Sequence, residues 1–168
     1  MRVQYRVDFH NSSKESILSM VNLRRTTAGD KNFQNLVNEL NNDLGARYND
    51  HEYRYDVNIN IDDLSTVVLG LINDDPVGCG CFKEIDSKTV EIKRMFVNPY
   101  FRGLGVSSSI LMELVAWAKE LHYTTAVLET GKQQQESINL YRKHGFEIVE
   151  NFGPYKGYEE SVCMSRAL

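Results

Sequence analysis

The chain has few cysteines and prolines, no long apolar run and no excess of positive charge. Only three of its 168 residues are cysteine and three are proline. A small, odd number of cysteines fits a reducing compartment better than a disulfide framework. No apolar run reaches the roughly 18–20 residues of a membrane span, and the alternating residues 1–9 lack the apolar core of a signal peptide. We therefore expect a cytoplasmic protein with no membrane partner.

The charge balance offers no surface for a polyanion. The chain has 19 basic and 23 acidic residues, mixed along its length, for a net charge of −4. A nucleic-acid partner is therefore not expected. The length fits one domain spanning residues 1–168, with neither repeats nor low-complexity linkers. The sequence leaves a homodimer open.

Two cysteines two residues apart raise the question of a metal site. Cys79 and Cys81 would face the same side of a strand. A zinc site needs four ligands, and neither Cys163 nor the four scattered histidines has matching spacing. We therefore expect a buried strand and no metal.

Residues 89–146 carry the strongest pattern of elements. A β-branched, apolar run predicts a strand at 89–97, which stops before Pro99. A helix is predicted for residues 106–121, and a further strand and a second helix follow before Phe146. The first helix has an apolar stripe at Ile110, Leu114, Trp117, Ala118 and Leu121.

The rest of the chain predicts an early hairpin before this late β-α-β unit. Strands are predicted at 1–9, 20–26, 64–72 and 76–85, with a turn at 73–75. Asp30 is a candidate cap for a helix with an apolar stripe. This order indicates an α/β (α+β) fold, with a mixed, mostly antiparallel central sheet and flanking helices.

The turn between the predicted strand and helix suits an anion. Arg102 supplies a positive charge, and Gly103 and Gly105 leave the backbone open to a phosphate. The helix that follows would expose unpaired N–H groups and a partial positive charge. These features predict a pyrophosphate site, although an ordinary strand-to-helix turn also favours glycine.

Two other phosphate motifs fit less well. A Walker A loop fails because no lysine follows Gly105. A dinucleotide fingerprint comes closer, with Gly103, Gly105 and the acidic Glu129 on the next strand. Ser108 replaces its third glycine, several residues precede Gly103, and too little chain follows for a doubly wound sheet.

The same segments resemble the GNAT superfamily of acyl-CoA-dependent N-acetyltransferases. The pyrophosphate loop Arg/Gln-x-x-Gly-x-Gly/Ala is matched by Arg102-Gly103-Leu104-Gly105-Val106-Ser107. The family's helix Asn-x-x-Ala-x-x-Leu-Tyr-x-x-x-Gly-Phe is matched over residues 134–146. The departures from these patterns are Ser107, Gln134 and Ser137. Residues 77–82, 152–155 and 161–164 resemble a subgroup of small bacterial members, and residues 1–19 would be an N-terminal extension.

The resemblance implies a GNAT-like fold and acetyl-CoA as co-substrate. Its thioester would meet backbone N–H groups of a splayed strand, and its pyrophosphate would meet the loop. The implied binding residues are Met95, Phe96, Val97, Arg102, Gly103, Leu104, Gly105, Val106, Ser107 and Gln134. The implied activity is N-acetylation of a primary amine of a small molecule by direct attack. The alternative is a CoA-binding sensor or scaffold without turnover.

Acetyl transfer needs an acid for the thiolate and a base for the amine. By resemblance Tyr141 is the acid. A phenol has a pKa of ~10 and a thiol one of ~8.5, and a tyrosine that is hydrogen-bonded to the forming thiolate can hand it a proton as it leaves. Packing on the apolar helix face is the alternative. Glu91 resembles the carboxylate that some members of the family use as general base. Strand alternation predicts Glu91, Lys93, Met95 and Val97 on one side, where Lys93 could simply pair with Glu91.

The acceptor pocket is predicted from two tyrosine-containing segments near the rim of the sheet. These are residues 48–60, which include Tyr53, and the turn that contains Phe152 and Tyr155. A tyrosine offers an apolar face and a hydroxyl to a small amine. Packing of Phe152 and Tyr155 over the core is the alternative.

Overall fold

The structure is a computed structural model that describes residues 20–48 and 64–168. The described strands are β1 (Val21–Thr26), β2 (Val67–Ile72), β3 (Asp75–Glu84), β4 (Thr89–Val97), β5 (Thr125–Gly131), β6 (Glu147–Val149) and β7 (Ser161–Ala167). The helices are α1 (Lys31–Tyr48), α2 (Val106–Glu120) and α3 (Gln135–Lys143), with 3₁₀ turns at Pro99–Phe101 and Gly153–Tyr155. The predictions for residues 1–19 and for residues 49–60 of the acceptor segment, which include Tyr53, lie outside the described residues.

The strands form one sheet in the order β1-β2-β3-β4-β5-β7-β6. Every neighbouring pair is antiparallel except β4 and β5, which are parallel. The predicted mixed, mostly antiparallel sheet with flanking helices is therefore confirmed. The predicted turn between β2 and β3 is also confirmed: Asn73 and Asp74 have φ angles of 51° and 65°, the left-handed pair that a two-residue hairpin favours.

Helices cover both faces of the sheet. On one face, the α1 face, the predicted apolar stripe of α1 packs on Val67, Leu69, Leu71, Cys79, Cys81 and Phe96. On the other, the α2 face, α2 and α3 enclose the larger core. Asp30 caps α1, because its carboxylate accepts the N–H of Asn32 at 2.8 Å. None of the helices within residues 20–48 and 64–168 is long and apolar enough to cross a membrane.

A bulge in β4 overturns the predicted alternation of its side chains. Cys79 of β3 pairs with Phe96, but Cys81 pairs with Lys93, so β4 has one extra residue there. Arg94, at the bulge, has a φ angle of 55°. After the bulge the side chains change faces, so Met95 packs in the core of the α2 face and Phe96 in that of the α1 face.

The strands β4 and β5 separate partway along their length. Their last paired residues are Ile92 and Leu128. Beyond them, β4 continues to Val97 against β3, while β5 continues to Gly131 against β7. This fork is the splay that the resemblance implied. Beyond the fork, the backbone groups of β4 and β5 no longer pair with each other. A ligand with hydrogen-bonding groups of its own can bind between the two strands.

Candidate active site

A cavity of about 330 Å³ opens at the fork. It lies between the end of α1, the end of β4, the loop after β4, and the starts of α2 and α3. The residues that line it are Leu40, Asp43, Leu44, Arg47, Met95, Phe96, Val97, Phe101, Arg102, Gly103, Val106, Ser107, Gln134, Glu136, Ser137, Leu140 and Tyr141. The lining is apolar at the fork and charged at α1 and the loop, which suits an elongated ligand with one charged end.

The loop after β4 delivers the start of α2 to this cavity. Gly105 caps α2 with a φ angle of 87°, which a residue with a β-carbon rarely adopts. Asn98 steadies the preceding turn, since its side chain accepts the N–H of Tyr100 at 3.1 Å. The first-turn N–H groups of α2, from Val106 onward, have no partner within the helix. An anion can therefore be held at this end of the cavity.

Arg102 is fixed by three contacts at the charged end. Its Nε donates to the carbonyl oxygen of Val97 at 2.9 Å, and a terminal nitrogen donates to Asp43 Oδ2 at 3.0 Å. The guanidinium carbon lies 5.7 Å from the centre of the Phe96 ring. The predicted cation therefore lies at the cavity, but α1 supplies a carboxylate that shares it.

A second ion pair crosses the cavity and was missed by the sequence analysis. Arg47 at the end of α1 pairs with Glu136 in the first turn of α3, with 2.6 Å between nitrogen and oxygen. The Arg47 bond lowers the pKa of the Glu136 carboxyl against a smaller opposing effect of burial. The available signal was the four-residue spacing of Asp43 and Arg47, which places both on one side of α1.

Tyr141 of α3 is buried beside the fork and lines the cavity. Its ring meets Phe146 edge-to-face, with 5.9 Å between centroids. Both predicted environments are therefore present: the ring packs in the core of the α2 face while the residue borders the cavity.

Glu91, Lys93 and Tyr155 form a cluster on the α1 face, just before the bulge. Lys93 Nζ donates to Glu91 Oε1 at 2.8 Å and to the Tyr155 hydroxyl at 2.9 Å. The Tyr155 hydroxyl in turn donates to Glu91 Oε1 at 2.7 Å. The side chains of Glu91 and Lys93 are 12% and 10% exposed, so this is a largely buried ion pair.

The pKa of Tyr155 is raised well above its usual range. Burial is the main cause, and the negative charge of Glu91 adds to it. The Phe152 ring packs edge-to-face against Tyr155 at 5.6 Å. The turn that carries both aromatic residues therefore lies over β4 at the fork, but outside the cavity.

The two cysteines of β3 behave as core residues. Both are fully buried, and their thiols approach the carbonyl oxygens of Arg94 and Lys93 at 3.4 Å. Burial raises the pKa of the Cys81 thiol to about 12. Among residues 20–48 and 64–168, no group of three or more histidine, cysteine or acidic side chains could hold a metal.

The structure brings most of the predicted CoA residues to one place. The cavity is lined by Met95, Phe96, Val97, Arg102, Gly103, Val106, Ser107, Gln134 and Tyr141. Leu104 packs against the core and Gly105 caps α2. Glu91, Phe152 and Tyr155 meet in the separate cluster on the α1 face. The Lys93–Glu91 pair that the sequence analysis gave as the alternative is present. Of the side chains that the prediction omitted, Asp43, Arg47 and Glu136 have the most direct contacts.

This chain belongs to the Acetyltransferase (GNAT) family, whose sequence profile matches residues 33–146. A protein of Azospirillum brasilense named IAA acetyltransferase is 37% identical over 93 residues. That match covers 55% of this chain and 61% of the relative, so it spans less than two thirds of the relative's length.

Solved structures agree with the fold over most of the chain. A protein of Klebsiella pneumoniae assigned as an acyl-CoA N-acyltransferase has a TM-score of 0.76 and 26% identity, covering 89% of this chain and 99% of that one. A GNAT family acetyltransferase of Elizabethkingia anophelis, solved with acetyl-CoA bound, has a TM-score of 0.64 and 23% identity over the same shares. The second likeness shows the fold alone.

Proposed function

We propose that the protein transfers an acetyl group from acetyl-CoA to the primary amine of a small molecule by direct attack. The observation that carries the proposal is the cavity in the β4–β5 fork, which joins a phosphate-type loop to a buried tyrosine. The family and the relatives named as acetyltransferases support acetyl transfer as the reaction class.

The residues of the cavity fit acetyl-CoA in two respects. The start of α2 and the Arg102 guanidinium offer donors and positive charge to a pyrophosphate. At the other end of the cavity, β4 has backbone groups that do not pair with β5. Asn98 donates its N–H to Val77 of β3 at 2.9 Å, so alternation turns the N–H of Val97 away from β3, towards the fork. We assign this N–H to the thioester carbonyl, whose developing negative charge it would stabilise.

Tyr141 is our candidate general acid. Thiolate departure is easier when a proton is supplied as the carbon–sulfur bond breaks. Tyr141 borders the cavity on the α2 face. From there its hydroxyl can donate a proton to the sulfur of a ligand in the fork. Its ring is held by Phe146 and the surrounding core, which limits its rotation.

Glu91 is our candidate base for the amine, on the opposite face. An acceptor that approaches from the α1 face meets the cluster of Glu91, Lys93 and Tyr155 before it reaches the fork. A carboxylate there can accept the amine proton, directly or through a water. Phe152 and Tyr155 would form part of the acceptor pocket, with Tyr53 outside the described residues.

Calorimetry tests the binding half of this proposal. We expect CoA to bind and NAD, the ligand of the competing dinucleotide interpretation, to bind more weakly or not at all. Tighter binding of NAD, or no binding of CoA at millimolar concentration, would contradict the proposal. Binding of CoA without turnover on any amine would instead favour a sensor or scaffold.

A further inference from the structure

Helix α1 carries a row of polar side chains, two of which, Asp43 and Arg47, line the cavity. Glu39, Asp43 and Arg47 are spaced four residues apart and therefore share one side of the helix. Glu39 Oε2 accepts a hydrogen bond from the Asn98 side-chain amide at 3.1 Å. The row thus begins at the loop that leads to α2 and ends, at Arg47, beside the start of α3.

Two ion pairs at the end of this row form one group of four charges. Asp43 pairs with Arg102 at 3.0 Å and Arg47 pairs with Glu136 at 2.6 Å. The two pairs also interact electrostatically: Asp43 helps to raise the pKa of Arg47, and Arg102 helps to lower the pKa of Glu136. All four residues line the cavity.

This arrangement has no net charge, although a CoA pyrophosphate would be doubly negative. Both carboxylates are partly exposed, with Asp43 at 33% and Glu136 at 59%. Ion pairs at such positions contribute little to stability, whereas arginine binds phosphate through short, paired hydrogen bonds. Either arginine can therefore exchange its carboxylate partner for a phosphate oxygen, and Arg47 lines the cavity as Arg102 does.

We propose that Arg47 of α1 is a second cation for the CoA pyrophosphate, opposite Arg102, and that Glu136 holds Arg47 in place until the pyrophosphate replaces Glu136 as its partner. The inference rests on the proposed function and adds a binding residue from an element that the pyrophosphate loop does not include. The competing explanation is that the Arg47–Glu136 pair only fastens α1 to α3.

Two substitutions at the same ion pair separate these explanations. Arg47→Gln and Glu136→Gln both break the pair, but only the first removes the cation. Calorimetry with CoA and with dephospho-CoA, which keeps the pyrophosphate and lacks the 3′-phosphate, gives the affinities. Thermal unfolding of both variants, monitored by circular dichroism, verifies that they fold.

We expect Arg47→Gln to weaken both ligands roughly tenfold, the loss of about one charge-assisted contact, while Glu136→Gln binds CoA as tightly as the wild type or tighter. Equal weakening by both variants, or no weakening by Arg47→Gln, would overturn the inference. A loss confined to CoA would assign Arg47 to the 3′-phosphate and overturn it as stated. If the wild type binds neither ligand, the proposed function fails before Arg47 is tested.

Discussion

The Tyr155 hydroxyl donates a 2.7 Å hydrogen bond to Glu91 Oε1, which joins the turn before β7 to the middle of β4. The two residues are 64 positions apart in the chain. The bond holds the turn that contains Phe152 and Tyr155 over the candidate base, so the proposed acceptor pocket depends on this contact. Lys93 donates to both partners and completes the cluster.

Replacement of Tyr155 by phenylalanine should affect the acceptor more than acetyl-CoA. The change removes one of two donors to a buried carboxylate, which typically costs about 1–3 kcal/mol of folding free energy. We expect the KM for the amine to rise while the KM for acetyl-CoA stays unchanged. Steady-state kinetics with both substrates varied gives the two constants. Tyr158→Phe is the matched control, since Tyr158 is exposed in the same connection between β6 and β7; unchanged kinetics in both variants would show that Tyr155 has only a packing role.

Replacement of Tyr141 by phenylalanine should separate proton donation from binding. The ring and its packing on Phe146 remain, so the CoA affinity should not change. The turnover number should fall by ~10²–10⁴-fold, the usual contribution of general acid catalysis. Single-turnover rates and calorimetry measure the two quantities. A Phe variant with full activity would show that the thiolate leaves unaided or takes its proton elsewhere.

The Asp43–Arg102 pair predicts opposite effects of substitutions on its two sides. Arg102→Gln should weaken CoA binding because it removes the cation from the loop. Asp43→Asn should strengthen CoA binding by roughly two- to fivefold, because a weak surface pair no longer competes with the phosphate. Calorimetry at low and at high salt tests both. Weaker binding in Asp43→Asn would mean that Asp43 positions Arg102 rather than competes for it.

Gly80 leaves room for the side chain of Met95, which follows the bulge of β4. A β-carbon at this position would lie 2.5 Å from Met95 Sδ and 2.9 Å from a Leu114 methyl. Gly80→Ala should therefore push Met95 away from the fork, cost about 1–3 kcal/mol of stability, and weaken CoA binding. Urea unfolding and calorimetry measure these effects. Gly29→Ala is the control, because its nearest such contact is 3.6 Å from Thr27; equal losses in the two variants would contradict the account.

The cap of α1 should give the protein a measurable pH dependence. Burial opposes ionisation of Asp30, but hydrogen bonds from Asn32 and Thr26 and the charge of Arg24 lower its pKa below the unfolded value of 3.8. The folded pKa is thus the lower one, so the stabilisation is complete above pH ~4 and is lost as pH falls through the folded value.

Asp30→Asn tests this, because asparagine also caps helices but carries no charge. We expect a loss of about 0.5–1 kcal/mol at neutral pH that shrinks towards zero in acid, measured by urea unfolding across pH. Asp74→Asn in the hairpin turn is the control. A difference that does not depend on pH would show that the charge of Asp30 does not contribute.

Sequence patterns were sufficient for the elements with a strong period. The β-branched run of β4, the apolar stripes of α1 and α2, and the turn at Asn73 and Asp74 are local signals, and each formed the predicted element within a few residues. The position of the loop after β4 at the cavity could also be predicted, because Arg102 and the glycines lie in one short segment; its binding of a pyrophosphate stays a prediction.

Features that depend on contacts between distant parts of the chain could not be predicted from the sequence. The bulge at Arg94 moves Met95 and Val97 to the other face from Glu91, and one extra residue in β4 leaves no mark on a strand pattern. The Asp43–Arg102 bond joins residues 59 positions apart. Its existence depends on how α1 packs across the sheet, which propensity and periodicity do not specify.

The most direct test of the central claim is the release of CoA thiol from acetyl-CoA in the presence of a broad panel of small amines, with wild type and Tyr141→Phe compared side by side. The account predicts amine-dependent thiol release by the wild type, with one acetyl-amine formed per thiol, and a large loss of turnover in Tyr141→Phe at unchanged CoA affinity. Thiol release that does not depend on any amine, or equal rates in the two proteins, would contradict it.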